Sequence, residues 1–342
     1  MNLKAAVLGG GSWGTTVASL VADNLPTKIW ARRQDVVDEI NRAHTNETYL
    51  PGVTLSKKLT ASSDMEEVIR DADLLIMGVP SKAMRETLEA AAGYVRPWVP
   101  IISLAKGLEP ETRNRMTQII REVLPGHPPG VLAGPNLALE VAKGFAAASV
   151  LAMEEEVVVK RLQPYFSRGL FRTYTNTDVI GCELGGAFKN VIAIAAGMGD
   201  GAGAGENTRS AVVTRGLAEM TRLGVAMGGK AATFAGLAGL GDLMATCTSP
   251  LSRNHMVGEQ LGQGRELIDI IKEMNQVAEG VRSSKVVVEL AELHGVEMPI
   301  TQEVYNVCHK GALARRAFRG LLRHRPGAES DVDAKVNVLD RH

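Results

Sequence analysis

A glycine-rich stretch near the start of the chain decides the fold. Residues Gly9-Gly10-Gly11-Ser12-Trp13-Gly14 directly follow the apolar run Ala5–Leu8 and lead into a helical pattern. They match the spacing G-x-G-x-x-G, whose glycines permit a tight turn, close approach of a pyrophosphate and close helix–strand packing. The N-terminus of the following helix supplies free N–H groups and a partial positive charge. The stretch therefore predicts a dinucleotide site. The alternative is an ordinary glycine turn.

The pattern beyond this stretch predicts an α/β fold. Short apolar runs at 28–30, 74–79, 101–105, 131–133, 147–152 and 171–174 alternate with helical stretches. Runs that are apolar on both faces are typical of covered parallel strands, so we expect a Rossmann-like doubly wound sheet over residues 1–178. The strand signal then fades, and helical spacing, as in Val213, Leu217 and Met220, predicts an all-helical C-terminal domain over 179–325. The polar residues 326–342 are expected to form a flexible tail.

Composition and charge exclude several classes of protein. The 342 residues carry 38 basic and 38 acidic side chains, so a dedicated nucleic-acid binder is not expected. Three cysteines without a C-x-x-C motif fit reduced thiols in the cytoplasm, and no histidine spacing suggests a metal site. Glycines interrupt the apolar N-terminus, and we find no run of 18 apolar residues, so neither a signal peptide nor a membrane span is expected.

Two arginines follow the predicted second strand, in the order Trp30-Ala31-Arg32-Arg33. Proteins that prefer NAD usually place an acidic residue at this distance from the glycines, where it holds the ribose 2′-hydroxyl. Guanidinium groups instead suit a 2′-phosphate, which accepts paired charged hydrogen bonds. The alternative is a solvated arginine pair, with Asp35 as the acid. We favour NADPH over NADH.

A single lysine, Lys189, lies within the apolar, small-residue stretch at 185–194. A buried ammonium group is costly, and lysines in such places tend to be functional. The alternative is a side chain that reaches the surface past its apolar neighbours. The adjacent Asn190, and the glycines Gly185 and Gly186, which leave room for a ligand, favour a functional lysine.

Two other segments have the chemistry of anion sites. Ser252-Arg253-Asn254 combines an arginine fork with a neutral donor, which suits a phosphate, although Ser252 could simply cap a helix with Arg253 in solvent. Lys106 follows the predicted strand at 101–105. Ligands of open α/β sheets bind at the carboxyl ends of strands, so we expect Lys106 to face the cofactor cleft.

These motifs together resemble those of the bacterial NAD(P)-dependent glycerol-3-phosphate dehydrogenases. The resemblance runs in unbroken order from residue 4 to about residue 320. The matched stretches are 9–14, 46–51 (NETYLP), 106–109, 134–135, 185–196, 207–220 (NTRSAVVTRGLAEM), 236–242 (GLAGLGD), 246–248, 252–254 and 296–300. The resemblance implies reversible reduction of dihydroxyacetone phosphate to sn-glycerol 3-phosphate by NAD(P)H, a supply for phospholipid synthesis, and a possible homodimer.

The resemblance also implies roles for individual residues. Lys189 is the expected acid/base, because an ammonium group can stabilise and protonate the alkoxide that forms when a ketone accepts hydride. The expected substrate contacts are Lys106, Gly134, Asn136, Lys189, Asp242, Ser252, Arg253 and Asn254. The expected cofactor contacts are Gly9, Gly11, Ser12, Trp13, Gly14, Arg32, Arg33, Lys106, Ala138, Arg253, Val277 and Glu279.

One position departs from the family pattern, and two other classes of protein remain as alternatives. The family usually has Ser or Thr after Gly-Pro, whereas this sequence has Asn136, a larger group that can still donate a hydrogen bond. A β-hydroxyacid dehydrogenase or ketopantoate-type reductase could use Arg253 to hold a carboxylate. A non-catalytic NAD(P)H sensor would need only the glycine motif. The stretches 207–220 and 236–242 favour the glycerol-3-phosphate enzymes over these reductases. Against the sensor stands the joint presence of Lys106, Lys189, Asp242 and Arg253.

Overall fold

The computed structural model describes residues 3–274 and 278–321, with side chains up to Ala317 in the last helix. The chain folds as two compact units. Unit 1 comprises Met1–Glu109 and Asn114–Val179, and unit 2 comprises Pro110–Arg113 and Ile180–His342. Residues 110–113 belong with unit 2, where the Arg113 guanidinium lies 3.1 Å from the Glu289 carboxylate. The tail predicted at 326–342 and the predicted cofactor contact Val277 lie outside the described residues.

Unit 1 is built on an eight-stranded sheet in the order β3-β2-β1-β4-β5-β6-β7-β8. The strands are β1 Ala5–Leu8, β2 Thr27–Trp30, β3 Leu59–Ser62, β4 Leu74–Met77, β5 Ile101–Ser103, β6 Pro129–Ala133, β7 Ala147–Met153 and β8 Phe171–Asn176. The sheet is mixed, because β7 runs antiparallel to β6 and the other neighbours are parallel. Between β6 and β7 lies only a five-residue helix, not the longer crossover helix typical of parallel neighbours.

The described helices of unit 1 cover both faces of the sheet. They are α1 Ser12–Ala22, α2 Gln34–Ala43, α3 Met65–Ile69, α4 Met84–Ala91, α5 Met116–Val123, α6 Ala138–Ala142 and α7 Glu156–Leu162. Strand β1 makes the layering visible, since Val7 packs into one apolar cluster and Leu8 into another on the opposite face. This two-sided burial is why the predicted strands read as continuous apolar runs.

Strand β3 is the one strand of the described sheet that the sequence did not predict. It lies at the edge of the sheet and has the sequence LTAS, of which only Leu59 is buried. An edge strand has a single neighbour, so it carries no two-sided apolar pattern. Strands β4 and β5 also end at Met77 and Ser103, two residues before their predicted ends.

The described part of unit 2 is helical, as the sequence predicted. Its helices are α8 Val179–Gly201, α9 Glu206–Ala226, α10 Ala231–Phe234, α11 Asp242–Thr248, α12 Arg253–Gly262, α13 Leu267–Glu273, α14 Glu279–Leu293, α15 Pro299–Lys310 and α16 Ala314–Leu321. A π-helical turn, Leu237–Gly241, precedes α11. Helix α8 is long and apolar enough to cross a membrane, but 94% of its most apolar window is buried inside the protein. Burial of this extent identifies α8 as the core helix of unit 2.

Candidate functional site

The three glycines of the G-x-G-x-x-G motif have different roles in unit 1. Gly9 has a φ of +122°, and a Cβ there would lie 2.7 Å from the backbone of Gly78. A Cβ on Gly14 would lie 2.2 Å from the carbonyl oxygen of Gly9. A Cβ on Gly11 would meet no described atom within 4 Å. Packing therefore requires the first and third glycines, whereas the second borders open space, as expected where a pyrophosphate approaches the backbone.

Asn46 anchors this loop, a role that the sequence analysis missed. Its side chain is fully buried, and Nδ2 donates hydrogen bonds to the Gly10 carbonyl at 3.0 Å and to Thr15 Oγ1 at 2.9 Å. The residue belongs to the matched stretch at 46–51. Its type and spacing alone gave no sign of a partner 36 residues earlier in the chain.

Two buried donors near the glycine loop fit a polar ligand. Trp13 Nε1 and Asn136 Nδ2 have almost no solvent exposure and no hydrogen-bond partner among the described residues. Ser149 Oγ donates to Asn136 Oδ1 at 2.5 Å, so the amide nitrogen is the end of Asn136 that remains available. Buried donors are nearly always paired, and a bound dinucleotide or substrate would supply acceptors. Ala138 begins α6, and its carbonyl accepts a hydrogen bond from Thr16 of α1 at 3.3 Å.

The structure brings Lys106 and Gly134 together. Both residues follow the carboxyl ends of neighbouring strands, β5 and β6. Lys106 Nζ donates a hydrogen bond to the carbonyl oxygen of Gly134 at 2.8 Å. Gly134 has a φ of +128°, a conformation that side chains rarely adopt. Lys106 thus lies at the edge of the sheet where ligands of α/β folds bind.

Arg32 and Arg33 are both exposed after β2. Arg33 Nε donates to the Asp35 carboxylate at 3.0 Å. This pairing raises the pKa of Arg33 and lowers the pKa of Asp35. Asp35 is therefore engaged by an arginine, which argues against the alternative in which it holds a ribose hydroxyl.

Lys189 is the centre of a buried polar cluster in unit 2. It lies on α8 and is only 4% exposed, so it does not reach the surface. Nζ donates hydrogen bonds to Asp242 Oδ1 and, at 2.6 Å, to Thr246 Oγ1. Asp242 is 1% exposed and begins α11, and the Thr246 hydroxyl donates to its carbonyl oxygen at 2.6 Å. A buried ammonium group beside a carboxylate and a hydroxyl is equipped to hold and transfer a proton.

The roles of Thr246 and Gly185 in the structure are not those that the sequence analysis gave them. Thr246 was part of a matched stretch but had no predicted role, because it follows Lys189 by 57 positions and this separation conceals the contact. Gly185 was expected to leave room for a ligand. A Cβ there would lie 2.5 Å from the carbonyl oxygen of Ala238, so this glycine makes room for the π-helical turn before Asp242.

The segment Ser252-Arg253-Asn254 forms the start of α12. Ser252 Oγ caps the helix by accepting a hydrogen bond from the His255 N–H at 3.3 Å, as the alternative interpretation proposed. Arg253 keeps exposed area, but burial lowers the pKa of its guanidinium from the usual value, and the charge of Glu279 opposes this shift. An arginine remains charged at neutral pH in either case. Capping and phosphate binding are compatible, because a helix N-terminus itself attracts anions.

Asn254 links the start of α12 to two other helices. Its Nδ2 donates to Asn190 Oδ1 at 3.0 Å, and its Oδ1 accepts from the backbone N–H of Gly280, in the first turn of α14, at 2.9 Å. Asn190 follows Lys189 directly on α8. The amide chain therefore connects the segment that carries Arg253 to the helix that carries Lys189. Both amide groups are buried.

These features define a class of protein before any comparison is made. Unit 1 is Rossmann-like, and the second glycine of its motif has free space beside it. Unit 2 follows in the chain and is helical, with a buried lysine–carboxylate pair. Together these features are typical of a nicotinamide-dependent dehydrogenase. No group of three or more metal-binding side chains occurs in the part of the chain that the structure describes.

Comparisons with known proteins define the family. The model for the N-terminus of NAD-dependent glycerol-3-phosphate dehydrogenase matches residues 4–159, and that for its C-terminus matches residues 178–319. The chain is 59% identical to glycerol-3-phosphate dehydrogenase [NAD(P)+] 2 of Sphingopyxis alaskensis, over 96% of this chain and 99% of that protein. It therefore belongs to the NAD-dependent glycerol-3-phosphate dehydrogenase family, as the sequence motifs predicted.

Solved structures agree with this assignment. A crystal structure of glycerol-3-phosphate dehydrogenase from Coxiella burnetii superposes with a TM-score of 0.90 and 35% identity, covering 94% of this chain and 99% of that one. A ketopantoate reductase from Ralstonia eutropha reaches a TM-score of 0.56 at 16% identity, over 92% of this chain and 99% of that one, so it shares the fold alone. The comparisons therefore do not favour the reductase alternative.

Proposed function

We propose that this protein catalyses the reversible, NAD(P)H-dependent reduction of dihydroxyacetone phosphate to sn-glycerol 3-phosphate. The observation that carries the proposal is the buried Lys189, hydrogen-bonded to Asp242 and Thr246 in a member of the glycerol-3-phosphate dehydrogenase family. We propose that unit 1 is the cofactor domain and that unit 2 is the substrate and catalytic domain.

Lys189 is the proposed general acid. When bound, NAD(P)H supplies the hydride that reduces the ketone carbon. The ammonium group of Lys189 stabilises negative charge on the ketone oxygen and then donates a proton to it. In the reverse direction, neutral Lys189 accepts the hydroxyl proton of glycerol 3-phosphate. Asp242 and Thr246 hold Nζ in place, so that the proton is delivered at a defined position.

Arg253 and Asn254 are the proposed phosphate-binding residues, with Ser252 as the helix cap beside them. The free N–H groups at the start of α12 add to the positive potential of the guanidinium. Binding energy from a phosphate that does not react can orient the ketone for hydride transfer. In unit 1, Lys106 and Gly134 are proposed to contact substrate as well, and Asn136 is proposed to do so through its available amide nitrogen.

The glycine loop, with Ser12, Trp13 and Ala138, is proposed to bind the dinucleotide, and Arg32 is proposed to favour NADPH. Arg32 lies directly after β2, and the neighbouring Asp35 is paired with Arg33. This environment is positive rather than acidic, which suits a 2′-phosphate better than a 2′-hydroxyl. Glu279 is proposed as a cofactor contact from unit 2.

We also propose a cytoplasmic homodimer that supplies glycerol 3-phosphate to phospholipid synthesis. The family resemblance supports the dimer and this supply. Cys182, Cys247 and Cys308 form no disulfide bond among the described residues, which suits a reducing compartment. Exposed Leu240 and Met244, at the π-helical turn and α11, offer apolar area that a second copy could cover.

The direct test follows nicotinamide absorbance after the protein is mixed with dihydroxyacetone phosphate and either NADPH or NADH. We expect rapid oxidation, faster with NADPH, and we expect Arg32→Ala to reduce the NADPH-to-NADH rate ratio. A faster rate with NADH would contradict the cofactor preference alone. Oxidation of neither cofactor, with cofactor binding intact, would contradict the proposed reaction.

Inhibition by inorganic phosphate distinguishes a phosphate-binding site from the carboxylate-binding site of a hydroxyacid reductase.

A further inference from the structure

A second ionic cluster, partly buried, lies in unit 2 and is formed by Asp200, Arg209 and His255. Arg209 Nε lies 3.0 Å from both carboxylate oxygens of Asp200, and His255 Nε2 lies 2.6 Å from Oδ2. The exposed fractions of the three side chains are 11%, 26% and 12%, respectively. Asp200 lies near the end of α8, Arg209 on α9 and His255 on α12. The proposed reaction assigns no role to any of these residues.

The cluster joins two helices whose backbones touch. A Cβ on Gly197 of α8 would lie 2.1 Å from the carbonyl oxygen of His255, and a Cβ on Gly201 would lie 1.9 Å from that of Glu259. The relation is reciprocal, since a Cβ on Gly258 of α12 would lie 2.1 Å from the carbonyl oxygen of Ile194. Small residues on α8 and α12 allow this close approach. The Asp200–His255 hydrogen bond links the two helices at the end where α12 begins.

His255 lies in the first turn of α12, directly after Arg253 and Asn254. Its backbone N–H donates to the capping hydroxyl of Ser252, while its ring bonds to Asp200. The position of the ring therefore constrains the turn that carries the proposed phosphate-binding residues. Asn254 is held separately, through Asn190 and Gly280. Arg253 lies two residues before His255 in the same turn of α12, so a shift of the His255 ring would move the backbone that carries Arg253.

We propose that the Asp200–His255 pair is a positioning device that fixes the first turn of α12 for binding the substrate phosphate. Arg209 orients the Asp200 carboxylate through both of its oxygens, and the Glu206 carboxylate in turn accepts hydrogen bonds from Arg209 Nη1 at 2.7 and 2.9 Å. The proposal deepens the proposed function and rests on it, since the phosphate belongs to the substrate assigned there. His255 and Asp200 act through Arg253 and are not catalytic residues.

The test compares two substitutions of His255. His255→Phe keeps a ring but removes the polar partner of Asp200, whereas His255→Gln retains a side-chain donor that can reach the carboxylate. We expect His255→Phe to raise the KM for dihydroxyacetone phosphate about tenfold, the size expected for one charged hydrogen bond. We expect kcat to stay within about threefold, because Lys189 and its partners are untouched. The KM for NADPH should not change, and His255→Gln should restore most of the lost affinity.

Two further variants make the result specific. Asp200→Asn keeps the shape of the partner but removes its charge, and it should raise the same KM. His127→Phe is the matched control, because His127 in unit 1 is also partly buried and its ring makes one hydrogen bond, to Val99. We expect no change in the KM for dihydroxyacetone phosphate in this control. Should His255→Phe fail to fold, as judged by circular dichroism, Asp200→Asn and His255→Gln carry the comparison.

An unchanged KM for dihydroxyacetone phosphate in both His255→Phe and Asp200→Asn would overturn the proposal. An equal rise in KM for both substrates would also overturn it, because general loosening of unit 2 would explain that result. A phosphorus NMR titration with inorganic phosphate measures the affinity of the proposed phosphate site at the start of α12 without turnover. If the wild-type protein failed to reduce dihydroxyacetone phosphate, the proposed function would fail, while weaker phosphate binding by His255→Phe would still support the positioning role.

Discussion

The glycine loop of unit 1 and the lysine cluster of unit 2 are built in opposite ways. The loop is a continuous stretch of six residues, and its first and third glycines are needed for close contacts with each other and with Gly78, which directly follows β4. The lysine cluster joins side chains that lie 53 and 57 residues apart in the sequence. A local motif can therefore be recognised from spacing, whereas a cluster assembled by packing can be recognised only in part.

The largest expected effect concerns the lysine cluster. Lys189→Ala should lower kcat by about 10³-fold or more, because general acid–base catalysis contributes roughly 10²- to 10⁴-fold and charge stabilisation is lost as well. NADPH affinity should remain nearly unchanged, because unit 1 carries the glycine loop. Steady-state kinetics and a fluorescence titration with NADPH measure the two quantities. Loss of NADPH affinity equal to the loss of activity would refute this division of roles.

The glycine loop should be most sensitive at its third glycine. Gly14→Ala places a methyl group against the Gly9 carbonyl oxygen and should destabilise unit 1 by about 3 kcal/mol, the upper part of the range for overpacking. Gly11→Ala is the matched control, because its methyl group meets no described atom within 4 Å. It should leave the unfolding temperature unchanged but weaken NADPH binding. Equal destabilisation by the two substitutions would contradict the distinction between packing and ligand-facing glycines.

Glu219 is a second example, after Lys189, of a buried side chain in unit 2 whose partners lie far away in the sequence. It is 2% exposed, and its carboxylate accepts hydrogen bonds from the N–H groups of Ile300 and Thr301 at the start of α15. Burial raises its pKa to about 7, and the hydrogen bonds from Ile300 and Thr301 oppose this shift. Because the folded protein holds this proton more tightly than the unfolded chain, the contribution of Glu219 to stability falls as pH rises from about 4.5 to about 7, and is constant above that.

The measurement is urea unfolding of the wild-type protein and Glu219→Gln at several pH values. The free energy of unfolding of the wild-type protein, minus that of Glu219→Gln, should fall by about 3 kcal/mol between pH 4 and pH 8. The reason is that one pKa unit corresponds to about 1.4 kcal/mol. Other carboxylates titrate alike in both proteins and cancel in this difference. A difference that does not vary with pH would show that Glu219 does not titrate in this range.

The smallest expected effect concerns Thr246. Thr246→Val removes the hydroxyl that accepts a hydrogen bond from Lys189 and should lower kcat about tenfold. Thr248→Val is the control, because Thr248 lies on the same helix and its hydroxyl likewise donates to the carbonyl oxygen four residues earlier. The control should keep wild-type kcat. Equal effects of the two substitutions would mean that Thr246 acts only on the stability of α11.

The sequence predicted the class of fold and most strands of the sheet. Elements that are buried on one face only were not predicted correctly. Strands such as β4 are covered on both faces and read as continuous apolar runs, but the edge strand β3 shows no such pattern. In α13, Ile268 and Ile271 are spaced as on one helix face but are 64% and 49% exposed, whereas Ile270 is buried. A short helix at a surface carries too few apolar positions to define its buried face.

The sequence by itself determined the glycine motif, the class of fold and the family, and it singled out Lys189 as the candidate acid/base. Each of these rests on residue type and local spacing, which backbone geometry converts directly into structure. Only the tertiary structure decided that Asn46 anchors the glycine loop, that Thr246 completes the lysine cluster and that Asp200 holds His255. These contacts join positions 31 to 57 residues apart. The packing of helices and strands against one another brings such positions together, and no local pattern encodes which of them meet.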